Sequence, residues 1–247
     1  MSEIKTLTHG NGRRLALRRR PGRGATLVFL PGYISDMEGG KATALDAWAA
    51  EQGRATVRFD YGGCGASGGA FEAQSLDDWL ADVAAVIDEA VEGPAVLVGS
   101  SMGGWLMLLA ALERPEWVAG LVGIAAAPDF TSWGFSDAEK RTIAATGRLE
   151  QPSPYGEQPY VTTRLFWESG ERRLLLGGPI GIDCPVRLIH GDADGEVPLD
   201  VVLTIVRQLR SADVQLNILK GGGHRLSEPH EIEAILRTVA ALLEPIP

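Results

Sequence analysis

Apolar positions along this chain fall into short continuous runs, separated by stretches in which they recur every three or four residues. Thr26-Leu27-Val28-Phe29-Leu30 is one compact run, ending at Pro31-Gly32. Thr56 to Phe59, Ala95 to Val98, Leu121 to Ile124 and Pro185 to Ile189 are others, and Val214 to Leu219 alternates. Such runs, bounded by Gly, Pro or Asp, read as strands. Amphipathic helices are predicted near 37–52, 75–91, 102–113, 198–211 and 227–243. The alternation predicts an α/β fold with a mostly parallel twisted sheet flanked by helices.

Two segments depart from that rhythm. Near the start, Leu15 and Leu17 alternate with polar neighbours, which predicts an exposed edge strand guarded by charge. Arg13, Arg14, Arg18, Arg19, Arg20 and Arg23 stand there against one acid, Glu3; a transit-peptide remnant is the other reading of so basic a start. From Asp129 to about Asp183 no strand signal occurs. Prolines cluster at Pro152, Pro154 and Pro159, and Phe130, Trp133, Phe135, Tyr155, Tyr160, Phe166 and Trp167 collect. A structureless loop of that length is uncommon in a compact domain. The segment is therefore expected to be an inserted, mainly helical cap, about 129–183, on a single domain spanning 1–247.

Composition narrows the partners. A hydrophobic share of 45% against 22% charged residues is enough for a full core. A net charge of −9 disfavours nucleic acid as a partner. No apolar run approaches the roughly 18 residues of a membrane span, so no stable membrane insertion is expected. Cys64 and Cys184 lack metal-ligand spacing and suggest free thiols in a reducing compartment, with the cytoplasm as the default location. No cofactor or metal is implied, and nothing in the chain fixes an oligomeric state.

The chemistry gathers just past the C-terminal ends of the predicted strands, where ligands bind in open parallel sheets. Gly99-Ser100-Ser101-Met102-Gly103 joins the Ala95–Val98 strand to the helix that follows. A serine at the centre of G-x-S-x-G on a strand-to-helix turn is a nucleophile elbow. Only Ser101 has glycine at both −2 and +2. A serine hydroxyl needs a base to take its proton, and a third group to orient that base. Of His9, His190, His224 and His230, His224 follows a strand and three glycines that let its loop bend over the sheet edge. His190 is expected to brace a turn, and His230 to face solvent. For the acid, Asp194 is favoured because it stands far enough out to reach the histidine loop; Asp192 is second and Asp129 third. Two N–H donors are needed for the oxyanion that forms on attack. Met102, after the nucleophile, supplies one, and Tyr33, after Leu30-Pro31-Gly32, the other.

These residues together resemble the α/β-hydrolase superfamily. The likeness runs from about Ala25 to the C-terminus and includes Leu30-Pro31-Gly32, Phe59 to Ser67, the elbow, the His-Gly-x-x-Asp-x-x-Val-Pro segment at 190–198, and His224. In that pattern the acid falls on Asp194. Leu30 to Tyr33, Arg58 to Tyr61 and Val98 to Met107 are similar to the mitochondrial abhydrolase-domain palmitoyl-protein thioesterases that also act as acyl-glucuronide esterases. The resemblance implies a serine hydrolase that cleaves carboxylic esters or thioesters through an acyl-enzyme. Its substrate would be a small acyl ester or thioester, an S-acylated protein being one form. A catalytically silent α/β-hydrolase fold that binds a small molecule is the alternative. Arg141, Arg148, Arg164, Arg172 and Arg173 in the cap are candidates for meeting an anionic group, a solvated helix face being the plainer reading. Cys64 is expected to be a small buried residue rather than a nucleophile. The Gly62–Gly69 stretch lacks the Gly-Lys-Ser/Thr ending of a phosphate loop.

Overall fold

The computed structural model describes residues 3–10, 12–152, 159–244 and 246. Pro154 and Tyr155, two of the residues noted in the cap, lie outside the described residues. The chain opens with three strands, β1 (Lys5–His9), β2 (Arg13–Arg20) and β3 (Arg23–Leu30). Helix α1 (Gly40–Glu51), β4 (Arg54–Phe59), α2 (Leu76–Ala90), β5 (Ala95–Ser100), α3 (Met102–Glu113) and β6 (Val118–Ile124) follow in alternation. The segment before the next sheet strand holds α4 (Phe130–Trp133), α5 (Asp137–Thr146), β7 (Arg148–Gln151), β8 (Tyr160–Thr163) and α6 (Arg164–Glu171). The fold closes with β9 (Val186–Gly191), α7 (Leu199–Gln208), β10 (Val214–Leu219) and α8 (Pro229–Leu243).

Eight strands form one sheet in the order β1-β2-β4-β3-β5-β6-β9-β10. β1 with β2 and β2 with β4 are antiparallel; the other neighbours are parallel. All six residues of β5 are buried, as a central parallel strand covered on both faces requires. α2, α3 and α7 cover one face, with Trp79 and Trp105 fully buried there, and α1 and α8 cover the other around Leu45, Ala49, Ile235 and Val239. Each such fully buried large side chain contributes roughly 1.5–3 kcal/mol. Two of the helices start where side chains satisfy their free amides: Ser75 and Asp78 form a reciprocal capping box on α2, and Ser136 and Glu139 one on α5.

Two expectations need correction. β2 is not the sheet edge: β1 pairs along it from Lys5↔Leu17 to His9↔Arg13, and Leu15, Ala16 and Leu17 are all buried. The arginines there do not guard an edge but make ion pairs, Arg13 with Asp78 and Asp82, Arg18 with Glu38, Arg19 with Glu92 and Arg20 with Asp46. The segment 129–183 is also not strand-free. β7 and β8 form a two-stranded antiparallel sheet from Arg148↔Thr163 to Gln151↔Tyr160. Each strand is only four residues long and mixes apolar with polar side chains, Arg-Leu-Glu-Gln and Tyr-Val-Thr-Thr, so neither presents a continuous apolar run.

Candidate active site

The elbow is built by close approach. Ser101 sits between β5 and α3 at φ 54°, ψ −119°, a conformation that L-residues rarely adopt. Its backbone is fixed from three sides: its amide donates to the Ile124 carbonyl at 2.9 Å, and its carbonyl accepts from Gly104 at 2.8 Å and Ala127 at 3.1 Å. A β-carbon on Gly99 would lie 2.3 Å from the Gly103 carbonyl oxygen, so no larger residue fits there. Such packing holds a strained residue in place.

Ser101 Oγ lies 3.0 Å from His224 Nε2, and His224 Nδ1 lies 2.9 Å from Asp194 Oδ2. An ionised carboxylate only accepts, so Nδ1 carries the proton and Nε2 is left to accept from the serine hydroxyl. Asp194 is held in turn: its Oδ1 accepts from the amides of Glu196 and Val197, both at 2.9 Å, and its side chain is 1% exposed. Burial alone would push its carboxyl pKa up. The His224 hydrogen bond and the two amides outweigh that and carry it below its ordinary value.

The structure sends the other candidates elsewhere. Asp192 Oδ1 accepts from the Gly221 amide at 2.6 Å and Oδ2 pairs with Lys220 at 2.7 Å, so it steadies the base of the histidine loop. Asp129 accepts from the Leu175 and Leu176 amides and so joins the two ends of the stretch between them. His190 is fully buried beneath the site, its Nε2 donating to the Val197 carbonyl at 3.0 Å. Burial lowers its pKa, which favours the neutral ring. His9 pairs with Asp82 at 3.1 Å, and His230 is exposed. Cys64 is buried, and burial raises its thiol pKa to about 12.

The Leu30-Pro31-Gly32-Tyr33 turn lies against the elbow: a β-carbon on Gly32 would sit 3.4 Å from Ser101 Cβ. Among the described residues neither the Tyr33 nor the Met102 amide has a hydrogen-bond partner. The Tyr33 ring does separate work. It packs against Phe71, Phe130 and Phe166 at 5.2, 5.9 and 4.9 Å between centroids, and its hydroxyl donates to the Val161 carbonyl at 2.7 Å. One residue thus contributes to the floor of the site and props β8.

Ser101 and His224 open into a cleft of about 430 Å³. The aromatics of the segment 129–183 divide. Phe130, Trp133, Phe135 and Tyr160 line this cleft, whereas Phe166 is buried in the core and Trp167 donates to the Thr131 carbonyl at 3.1 Å. None of the five arginines singled out in the segment lines it. Arg148 pairs with Glu72 and Glu150, Arg164 with Glu168, Arg172 with Asp77, and Arg173 with Asp77 and Glu113, while Arg141 is exposed on α5. Among the lining residues that the sequence did not single out are three charged ones, Lys41, Glu196 and Arg225, together with Asp36. Sequence reading also missed the amides of Glu196 and Val197 that hold Asp194, although Asp-Gly is a turn signal that announces such bonds. Among the described residues no group of three or more His, Cys, Asp or Glu is arranged to hold a metal ion.

The strand order, the strained serine after β5 and the loops carrying Asp194 and His224 define an α/β hydrolase, and the chain belongs to that family. The family model described as serine aminopeptidase, S33, matches residues 23–149. Within the family, the chain is similar to the mitochondrial palmitoyl-protein thioesterase ABHD10 of Homo sapiens, 37% identical over 234 residues, covering 93% of this chain and 76% of that protein. The solved structure of α/β hydrolase domain-containing protein 10 from mouse superimposes with a TM-score of 0.93 at 36% identity, covering 99% of each chain. A solved structure of a protein from Agrobacterium vitis S4 gives 0.92 at 38% identity, again over 99% of each chain. No described helix is long and apolar enough to cross a membrane.

Proposed function

We propose that the protein hydrolyses carboxylic esters or thioesters through an acyl-enzyme on Ser101. The observation that carries this reading is the continuous relay of 3.0 Å and 2.9 Å from Ser101 through His224 to Asp194 at the floor of a cleft. Ser101 Oγ attacks the acyl carbon while its proton passes to His224 Nε2. Asp194 fixes the imidazole tautomer and stabilises the imidazolium. The negative charge on the carbonyl oxygen is met by the Tyr33 and Met102 amides, which need no reorganisation at that moment. His224 returns the proton to the leaving group, which departs as a thiol or alcohol. Water then attacks the acyl-serine by the same path.

The acyl group lies among Phe130, Trp133 and Phe135, an apolar surface suited to a fatty chain. The segment 129–183 serves as a lid on a single domain. The relatives named as palmitoyl-protein thioesterases support an acyl thioester, including an S-acylated protein, as the substrate. The two free cysteines support a reducing compartment, the cytoplasm or, as in the name of those relatives, the mitochondrion. A fluorophosphonate probe tests the chemistry: labelling of Ser101, located by peptide mass, is expected. A folded protein that takes no label would instead favour a silent binding fold.

A further inference from the structure

The cleft at Ser101 has two chemically different ends. Phe130 and Trp133 line one, packed against the face of the sheet covered by α2 and α3, with Phe135 beside Phe130 at 6.4 Å between ring centroids. At the other, on the α1 and α8 face, stand Lys41 from the first turn of α1 and Arg225 and Ser227 from the loop that carries His224. Lys41 is half-buried, and its ammonium donates to the Arg225 carbonyl. Among the described residues no carboxylate lies within 4.0 Å of that ammonium, and α1 has no acidic residue in its first turn.

The acids nearby are engaged with other groups. Asp36, which lines the cleft, accepts from the Glu38 amide at 2.9 Å. Glu196 stands 3.9 Å from His224 Nε2. Glu231 attracts Lys41 at longer range but accepts from the Glu228 amide at 2.8 Å. Burial, and then the neighbouring Arg225 charge, lower the Lys41 pKa to about 8. A partly desolvated ammonium beside a second cation, with no carboxylate of its own, is a costly arrangement that a bound anion relieves.

We propose, on the ester and thioester hydrolase reading of Ser101, that Lys41 is a specificity residue that binds an anionic group on the leaving-group side of the substrate. With the acyl chain under the aromatic end and its carbonyl at Ser101, the leaving group extends toward α1. A carboxylate and a phosphate satisfy the same ammonium. With a pKa of about 8 the Lys41 side chain is mostly charged below that pH, where it attracts such an anion, and mostly neutral well above it, where the attraction is lost.

One octanoyl group offered on three thiols tests this: neutral N-acetylcysteamine, 3-mercaptopropionate and phosphopantetheine. The wild-type protein is expected to prefer one or both anionic thioesters by about tenfold in kcat/KM, carried by KM. Which one it prefers separates a carboxylate from a phosphate. That preference should fade as pH rises from 7 to 9.5, vanish in Lys41→Met and return in Lys41→Arg without the pH dependence. The anionic-to-neutral ratio is taken within each variant, so a general loss of activity cancels; if Lys41→Met fails to fold, the wild-type pH series decides. Equal use of all three thioesters, or a preference that survives Lys41→Met, overturns the role of Lys41 and leaves the hydrolase reading intact. No Ser101-dependent hydrolysis of any of them overturns the hydrolase reading first.

Discussion

Gly103 and the Leu30 carbonyl meet so closely that a β-carbon on Gly103 would lie 2.1 Å from the Leu30 oxygen. This contact docks the first turn of α3, with Met102, against the turn that carries Tyr33, so the two proposed oxyanion donors are positioned by one packing event. Gly103→Ala is therefore expected to cost about 3 kcal/mol or more, because the obstacle is backbone that cannot yield. Chemical denaturation measures it. Gly177→Ala, where a β-carbon meets nothing within 4 Å, should stay within about 1 kcal/mol of the wild type. Equal midpoints for the two variants would contradict the close fit.

Asp194 and Asp192 stand two residues apart, yet only Asp194 reaches His224. Asp194→Asn should lower kcat by about 10⁴, as the amide leaves the imidazole in the wrong tautomer. Asp192→Asn loses one bond at the base of the loop and should cost less than about tenfold. Steady-state kinetics of the pair, on one thioester, separates them; a reversed order would move the acid to Asp192.

His190 gives stability a pH dependence. Its pKa is lowered in the fold, chiefly by burial, so the unfolded chain binds its proton more readily. Its contribution is whole above the unfolded value of about 6.5 and is lost as pH falls from there through the folded value. Urea midpoints between pH 5 and 7 should therefore fall on acidification less steeply in His190→Gln than in the wild type. Parallel slopes would mean that His190 takes up its proton equally well in the folded and the unfolded chain.

The thiols should be inert. Burial raises Cys64 to about 12 and Cys184 to about 11, which leaves little thiolate at pH 8. A disulfide reagent is expected to react with the native protein on the order of 10²-fold more slowly than with the unfolded chain. Fast native labelling of either cysteine would show that its surroundings are open.

Much of this was legible in the sequence because each central strand is buried on both faces and so is written as an unbroken apolar run, Val96-Leu97-Val98 being the clearest. The elbow was legible for a related reason: Gly99, Gly103 and Gly104 all face contacts that exclude a β-carbon. β1 was not, since only Leu7 of its five residues is buried. β7 and β8 escaped because each is only four residues long and mixes apolar with polar side chains. Lys41 could not be read at all. A lysine opening a helix is ordinary in a sequence, and it becomes informative only when α1 and the His224 loop bring it beside Arg225 in the cleft.

The central claim is that Ser101 forms the acyl-enzyme, and turnover of a fatty-acyl thioester by purified Ser101→Ala measures it most directly. The account predicts kcat lower than wild type by a factor on the order of 10⁴ to 10⁶, with an unchanged fold by circular dichroism. Turnover near the wild-type rate in that variant would contradict it.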